Sequence, residues 1–189
     1  MTDKNFNMIP LLGIPLYQTV IEPGVTDEEF NFVKSQEYER FAADNGFGSM
    51  DKFLLDKPEL KNLKQKLLHK CEHFLHEVLD IDESKAKFDI TNSWSVKHIK
   101  GDESGAHTHS GSMFSAVYYL QTEQDSGEIV FHKEKTNYNV LTPTVNVPYK
   151  NKNFNICNSE AFAIPPQNNM MVIFPSTLSH SVNPSKSNT

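Results

Sequence analysis

From Leu60 to Val78 apolar residues return every three or four positions, at Leu60, Leu63, Leu67, Cys71, Phe74 and Val78, with a lysine-rich remainder between them. That spacing predicts an amphipathic helix with one buried stripe, entered through Asp56 as a cap and Pro58 in the first turn. A shorter helix is predicted from Thr26, because Thr26 and Glu29 have capping-box spacing and Phe30 and Val33 begin an apolar face. It runs out near Asn45-Gly46 and takes in Arg40. Before it, Leu11 to Ile21 is β-prone and ends on the turn signal Pro23-Gly24.

Beyond Lys87 the period falls to two. Phe88, Ile90, Asn92, Trp94 and Val96 share one side, with Asp89, Thr91, Ser93, Ser95 and Lys97 on the other, as in a half-buried strand. Further strands are expected at Phe114 to Gln121, Glu128 to His132 and Met170 to Phe174. The stretch from Lys133 to Glu160 is poorly periodic, with one strand possible from Asn139 to Val147, and suits either a lid or an inert excursion. Helices first and strands later point to an α+β or mainly β fold.

Composition narrows the class. A chain of 189 residues with 38% apolar content builds one ordinary core, so a single domain is expected. The net charge of −6 gives no electrostatic reason to hold nucleic acid or an anionic membrane. Cys71 and Cys157 lie far apart and outside any close ligand pair, which suits free thiols in a reducing compartment. No signal-peptide pattern or membrane-length apolar run is visible, so the expected location is cytoplasmic. The oligomeric state cannot be read from these residues.

The chemistry gathers in two segments. In Gly101 to His109 (GDESGAHTH) a strand would aim His107 and His109 at one point, because residues two apart share a face. In Phe174 to His180 (FPSTLSH) a later strand ends in a turn bearing a third histidine. Two ligands from one strand and one from another give a jelly-roll an open-sided site for a divalent metal on His107, His109 and His180. His69, His73 and His76 also share a helical face, but no carboxylate or cysteine joins them at ligand spacing, and a solvated face is the simpler account. Asp102 and Glu103 read as solvated loop charges.

NSWSVKHIKGD, HTHSGSMFSAVYYLQT, SGEIVF and FPSTLSHSVNP resemble successive core segments of a 2-oxoglutarate and Fe(II)-dependent oxygenase family common in marine bacteria and their phages. LLDKPELKNLKQKLL is similar to its support helix, so the resemblance covers most of the chain. It implies a double-stranded β-helix (jelly-roll) core over 87–189 behind an N-terminal strand and support helices over 1–86. For a phage-encoded protein, the location would be the host cytoplasm. It implies Fe(II), 2-oxoglutarate as co-substrate and O2, with His107, His109 and His180 as metal ligands and catalytic centre. Oxidative decarboxylation would then yield succinate and CO2 and hydroxylate a carbon-hydrogen bond of a small-molecule or protein substrate that the sequence does not identify.

Two departures from the family pattern stand out. His109 occupies the place of the customary aspartate, so three neutral imidazoles would leave the full metal charge to attract an anion. The family also carries an arginine shortly beyond the distal histidine to bind the remote carboxylate of 2-oxoglutarate, on a final strand. Arg40 is the only arginine here, and the expectation is that this last strand is missing beyond Thr189; the alternative is a different anchor, for which Lys186 is the nearest cation but reads as a terminal solvent lysine, with Lys97, Lys100 and Lys133 the next candidates.

Four more residues are candidates for holding the co-substrate. Asn92 lies on the side of Ile90 and Trp94, where an inward amide serves either structure or the co-substrate carboxylate. Trp94 is a core or site aromatic. Of Tyr118 and Tyr119, alternation sends one inward. Two rivals remain: a cupin-type three-histidine dioxygenase without 2-oxoglutarate, since Gly101, His107 and His109 fit the first half of its motif, and a non-catalytic metal-binding jelly-roll.

Overall fold

The continuous apolar run Met170 to Phe174 organises the molecule, and its burial on both faces shows why it has no polar side. The computed structural model describes residues 13–41, 46–133, 159 and 161–187. Strand β9 (Met170–Pro175) lies between β1 (Tyr17–Val20) and β6 (Phe114–Tyr118), antiparallel to both. Met171 and Ile173 turn to one side, where Leu60, Leu63, Leu67 and Phe74 pack on them. Met170, Val172 and Phe174 turn to the other, against Ile129, Phe131, Ile164 and Leu178. A strand dry on both faces reads as an uninterrupted hydrophobic run rather than an alternation.

The second sheet has the order β5-β10-β7-β8, from β5 (Ser104–His107), β7 (Ile129–His132), β8 (Ala161–Ile164) and β10 (His180–Val182). It faces the first across the Phe174 cluster, giving a mainly antiparallel β-sandwich with few helices. A third, small sheet joins β2 (Tyr38–Arg40), β3 (Phe47–Ser49) and β4 (Val96–Lys97).

The helical side follows the sequence signals closely. Helix α1 (Asp27–Lys34) opens with the capping box: Glu29 N–H donates to Thr26 Oγ1 and Thr26 N–H to Glu29 Oε2. Helix α2 (Lys61–Glu72) continues into a wider π-helical turn over His73–Val78. Its cap corrects the expectation for Asp56, which instead lies in a short 3₁₀ turn (Leu54–Asp56) and binds Lys64. The cap comes from Glu29, whose second oxygen accepts Leu63 N–H at 2.9 Å. One buried carboxylate thus ties together the first turns of both helices.

Two other expectations change. Helix α1 stops at Lys34, and Arg40 sits in β2 rather than in a helix. The strand predicted from Lys87 shrinks to Val96–Lys97, and its inward face switches to Ser93 and Ser95. Hydrogen bonding is the reason. Ser93 Oγ accepts Leu55 N–H, Ser95 N–H donates to Ser49 Oγ, and Tyr38 Oη donates to Ser95 Oγ. With these hydroxyls satisfied inside, Trp94 and Val96 face outward, and Asn92 is exposed rather than aimed at the core.

Nearly all of the 133–160 stretch, with its candidate strand and Cys157, lies outside the described residues. Cys71 is a free thiol whose pKa burial pushes up to about 11, which makes it an inert packing residue. Among the described residues no helix is long and apolar enough to cross a membrane.

Candidate metal centre

Strand register delivers two of the three histidines. His180 begins β10 directly opposite His107, the last residue of β5, and opposite Phe131 of β7 on its other flank. Directly opposed residues present side chains to the same face, so the two imidazoles lie side by side, with ring centroids 4.3 Å apart. His109 follows two residues past the end of β5, where its N–H donates to Ser176 O at 2.9 Å. Its ring lies 5.1 Å from that of His107 and 5.0 Å from that of His180. Each of the three offers a nitrogen within 4.8 Å of the others, the one such grouping among the described residues.

Protonation is fixed by backbone carbonyls. Nδ1–H of His107 donates to Gly105 O at 2.8 Å and Nδ1–H of His180 to Leu178 O at 2.9 Å. In a neutral imidazole that leaves Nε2 as a bare lone pair, the tautomer of a metal ligand whose other nitrogen is braced. Burial pushes the pKa of His180 down to about 4, and the neighbouring histidines add to the effect against the bond to Leu178. His109 is lowered by burial and by His107. His109 and His180 are therefore held neutral and ligand-competent at ordinary pH.

His109 Nε2 and His180 Nε2 approach to 3.2 Å, a contact that needs a proton or a cation between the two nitrogens. Cis ligands on one ion with bonds of about 2.1 Å at right angles stand about 3 Å apart, so the donor set fits a divalent ion. Phe174 closes the inner side, its ring 4.7 Å from His180, and Phe131 backs it. His180 is buried, His109 half-buried and His107 exposed, so the cluster opens on the side of His107.

A model described as "Putative 2OG-Fe(II) oxygenase" matches residues 92–189. The chain belongs to this family. No curated protein matches it. The oxygenase family takes Fe(II), 2-oxoglutarate and O2, and the three-histidine cluster inside the matched segment suits the metal.

The remaining candidates divide. Trp94 stands beside the cluster, partly exposed, its ring 6.0 Å from that of His109. Tyr118 is turned to the helix side of its sheet, where Oη donates to Asn169 Oδ1 at 2.8 Å. Tyr119 takes the inter-sheet side, packed on the cluster of Val172 and Ile129, and burial raises its pKa. It lies at the end of β6 remote from His109, roughly 13 Å along the strand from Ser115. Asn92 is exposed.

The acidic residues upstream need correcting too. Asp102 is a buried carboxylate, not a solvated loop charge: it accepts Ile99 N–H at 3.0 Å and Arg40 Nη2 at 2.5 Å. Burial would raise its pKa, but the Ile99 N–H and the Arg40 guanidinium prevail and hold it below the usual value. The only arginine is thereby committed, and its guanidinium also stacks on Phe47. Lys97 lies over the rings of Tyr38 and Phe47, on the opposite face of β4 from Trp94 and Val96. Sequence pattern could not reveal this pairing, because Arg40 and Asp102 are 62 residues apart.

Proposed function

We propose that His107, His109 and His180 hold Fe(II) through Nε2 and that the chain is a 2-oxoglutarate-dependent hydroxylase. The observation carrying this reading is the convergence of three imidazoles, two of them with Nδ1 braced on carbonyls. Bound iron supplies the activation of O2, coupled to decarboxylation of 2-oxoglutarate to succinate and CO2, that hydroxylates a substrate carbon-hydrogen bond. Phe174 and Phe131 keep water from the inner side of the cluster. Trp94 presents a flat apolar wall on the outer side, where co-substrate and substrate enter. Three uncharged ligands leave the whole metal charge to attract the co-substrate carboxylates.

The two sheets support a double-stranded β-helix spanning the chain as one domain. Strands β9 and β6 belong to one face and β5, β10 and β7 to the other, with the metal ligands at one end of the sandwich. The test is succinate release from 2-oxoglutarate by protein loaded with Fe(II) in air. Wild type is expected to release it and His107→Ala is not. A metal-loaded wild type that neither binds nor consumes 2-oxoglutarate would sink the proposal.

A further inference from the structure

His109 differs from its two partners in how it is held. His107 and His180 sit in a strand ladder, whereas His109 lies beyond the end of β5 and its N–H depends on Ser176 O. Ser176 belongs to the turn between β9 and β10 and is completely buried. Its hydroxyl is 2.8 Å from Ser112 Oγ and 2.8 Å from Ser115 Oγ, and its N–H donates to Met113 O. The hydroxyls of Ser112 and Ser115 thus meet on Ser176 Oγ. Ser112 belongs to the loop that carries His109, and Ser115 lies in β6.

A serine hydroxyl has one proton and two lone pairs, so Ser176 Oγ bonds both neighbours at once, donating to one and accepting from the other or accepting from both. Because the buried Ser176 hydroxyl is the shared partner of Ser112 and Ser115, removing it takes away both contacts that tie its turn to those segments. We propose that Ser176 is the positioning residue for His109: the hydroxyl cluster locks the β9–β10 turn to the 108–113 loop, and the Ser176 carbonyl then sets where the His109 ring points. This rests on the metal-centre reading for its consequence, but the geometry it invokes exists without metal.

The experiment has two arms on Ser176→Ala. In metal-free protein, amide hydrogen exchange followed by NMR is expected to rise about tenfold at His109 while the amides of β5 and β10 stay within twofold. In calorimetric titration with Co(II), affinity is expected to fall about tenfold, the loss typical of a ligand's supporting partner. Ser112→Ala, at an exposed position, should move both readouts in the same direction by less and guards against a variant that fails to fold. An unchanged His109 amide, or exchange rising equally throughout β5 and β10, overturns the proposal. A wild type that binds no Co(II) overturns the metal centre by itself, and the His109 amide still decides the positioning.

Discussion

The two faces of β9 are equally dry, yet they use buried polar groups in opposite ways. On the helix side the buried carboxylate of Glu29 accepts two backbone N–H groups, from Thr26 and from Leu63, one at the start of each helix. On the sandwich side the buried His180 has one nitrogen bonded and the other aimed at two further imidazoles. A buried group whose hydrogen-bonding capacity is consumed at home belongs to structure. One left with an open lone pair beside others of its kind belongs to chemistry.

That contrast breaks apart most visibly when each side is emptied. Phe74 is fully buried on the helix side, edge-on to Phe114 at 5.2 Å. Phe74→Ala is expected to cost about 3–5 kcal/mol of stability. Co(II) affinity measured well below the unfolding transition should stay within twofold of wild type. A large change in affinity would show that the two sides are coupled through β9.

His180→Ala is the reciprocal change. Removing the central ligand should weaken Co(II) binding by more than about 100-fold, beyond the loss seen for supporting residues alone. Calorimetric titration checks it. Retained stoichiometry and affinity would mean that the three-imidazole cluster is not the metal site. His109→Asp is expected to keep the metal, because a carboxylate is the ligand the wider oxygenase pattern has at that position.

Glu29 comes next in size. Glu29→Ala strips two helix starts of their acceptor and should destabilise the protein by roughly 2–3 kcal/mol, with Glu29→Gln losing about half of that. Urea unfolding midpoints give the comparison. Equal midpoints for Glu29→Ala and wild type would show that the helices cap themselves without it.

What the sequence made legible follows the same division. Local signals worked wherever the partner lies within a few residues: the Thr26–Glu29 box, the apolar stripe of α2 and the run through β9. The convergence of the three histidines was readable because each segment carries a local signal, an HxH at a strand end and a histidine shortly after FPS. The failures are long-range. Glu29 caps α2 from 34 residues away, and Asp102 is buried by an arginine 62 residues away. Alternation alone could not orient Asn92 and Trp94, because Ser93 and Ser95 find polar partners inside and reverse the expected face. It did separate Tyr118 from Tyr119, but which of them met the helices depended on the packing of β6 against α2 and its π turn.

The smallest expected effect lies at Asp102, which ties β2 of the small third sheet to the loop that leads into β5. Its folded pKa lies below the ordinary 3.8 because Ile99 N–H and Arg40 stabilise the charged form against the penalty of burial. A lowered carboxylate pKa adds stability that is present above the unfolded value and is lost as pH falls through the folded value. At about pH 7, Asp102→Asn should therefore be less stable than wild type by about 1–2 kcal/mol, a modest figure because Arg40 is partly exposed to solvent. The gap should narrow as the pH drops below about 4, where wild type loses the same interaction by protonation. Urea midpoints of the two proteins across that range decide it. A gap that stays constant into strong acid would show that Asp102 acts through shape and neutral hydrogen bonds, and that its pairing with Arg40 contributes nothing as a charge.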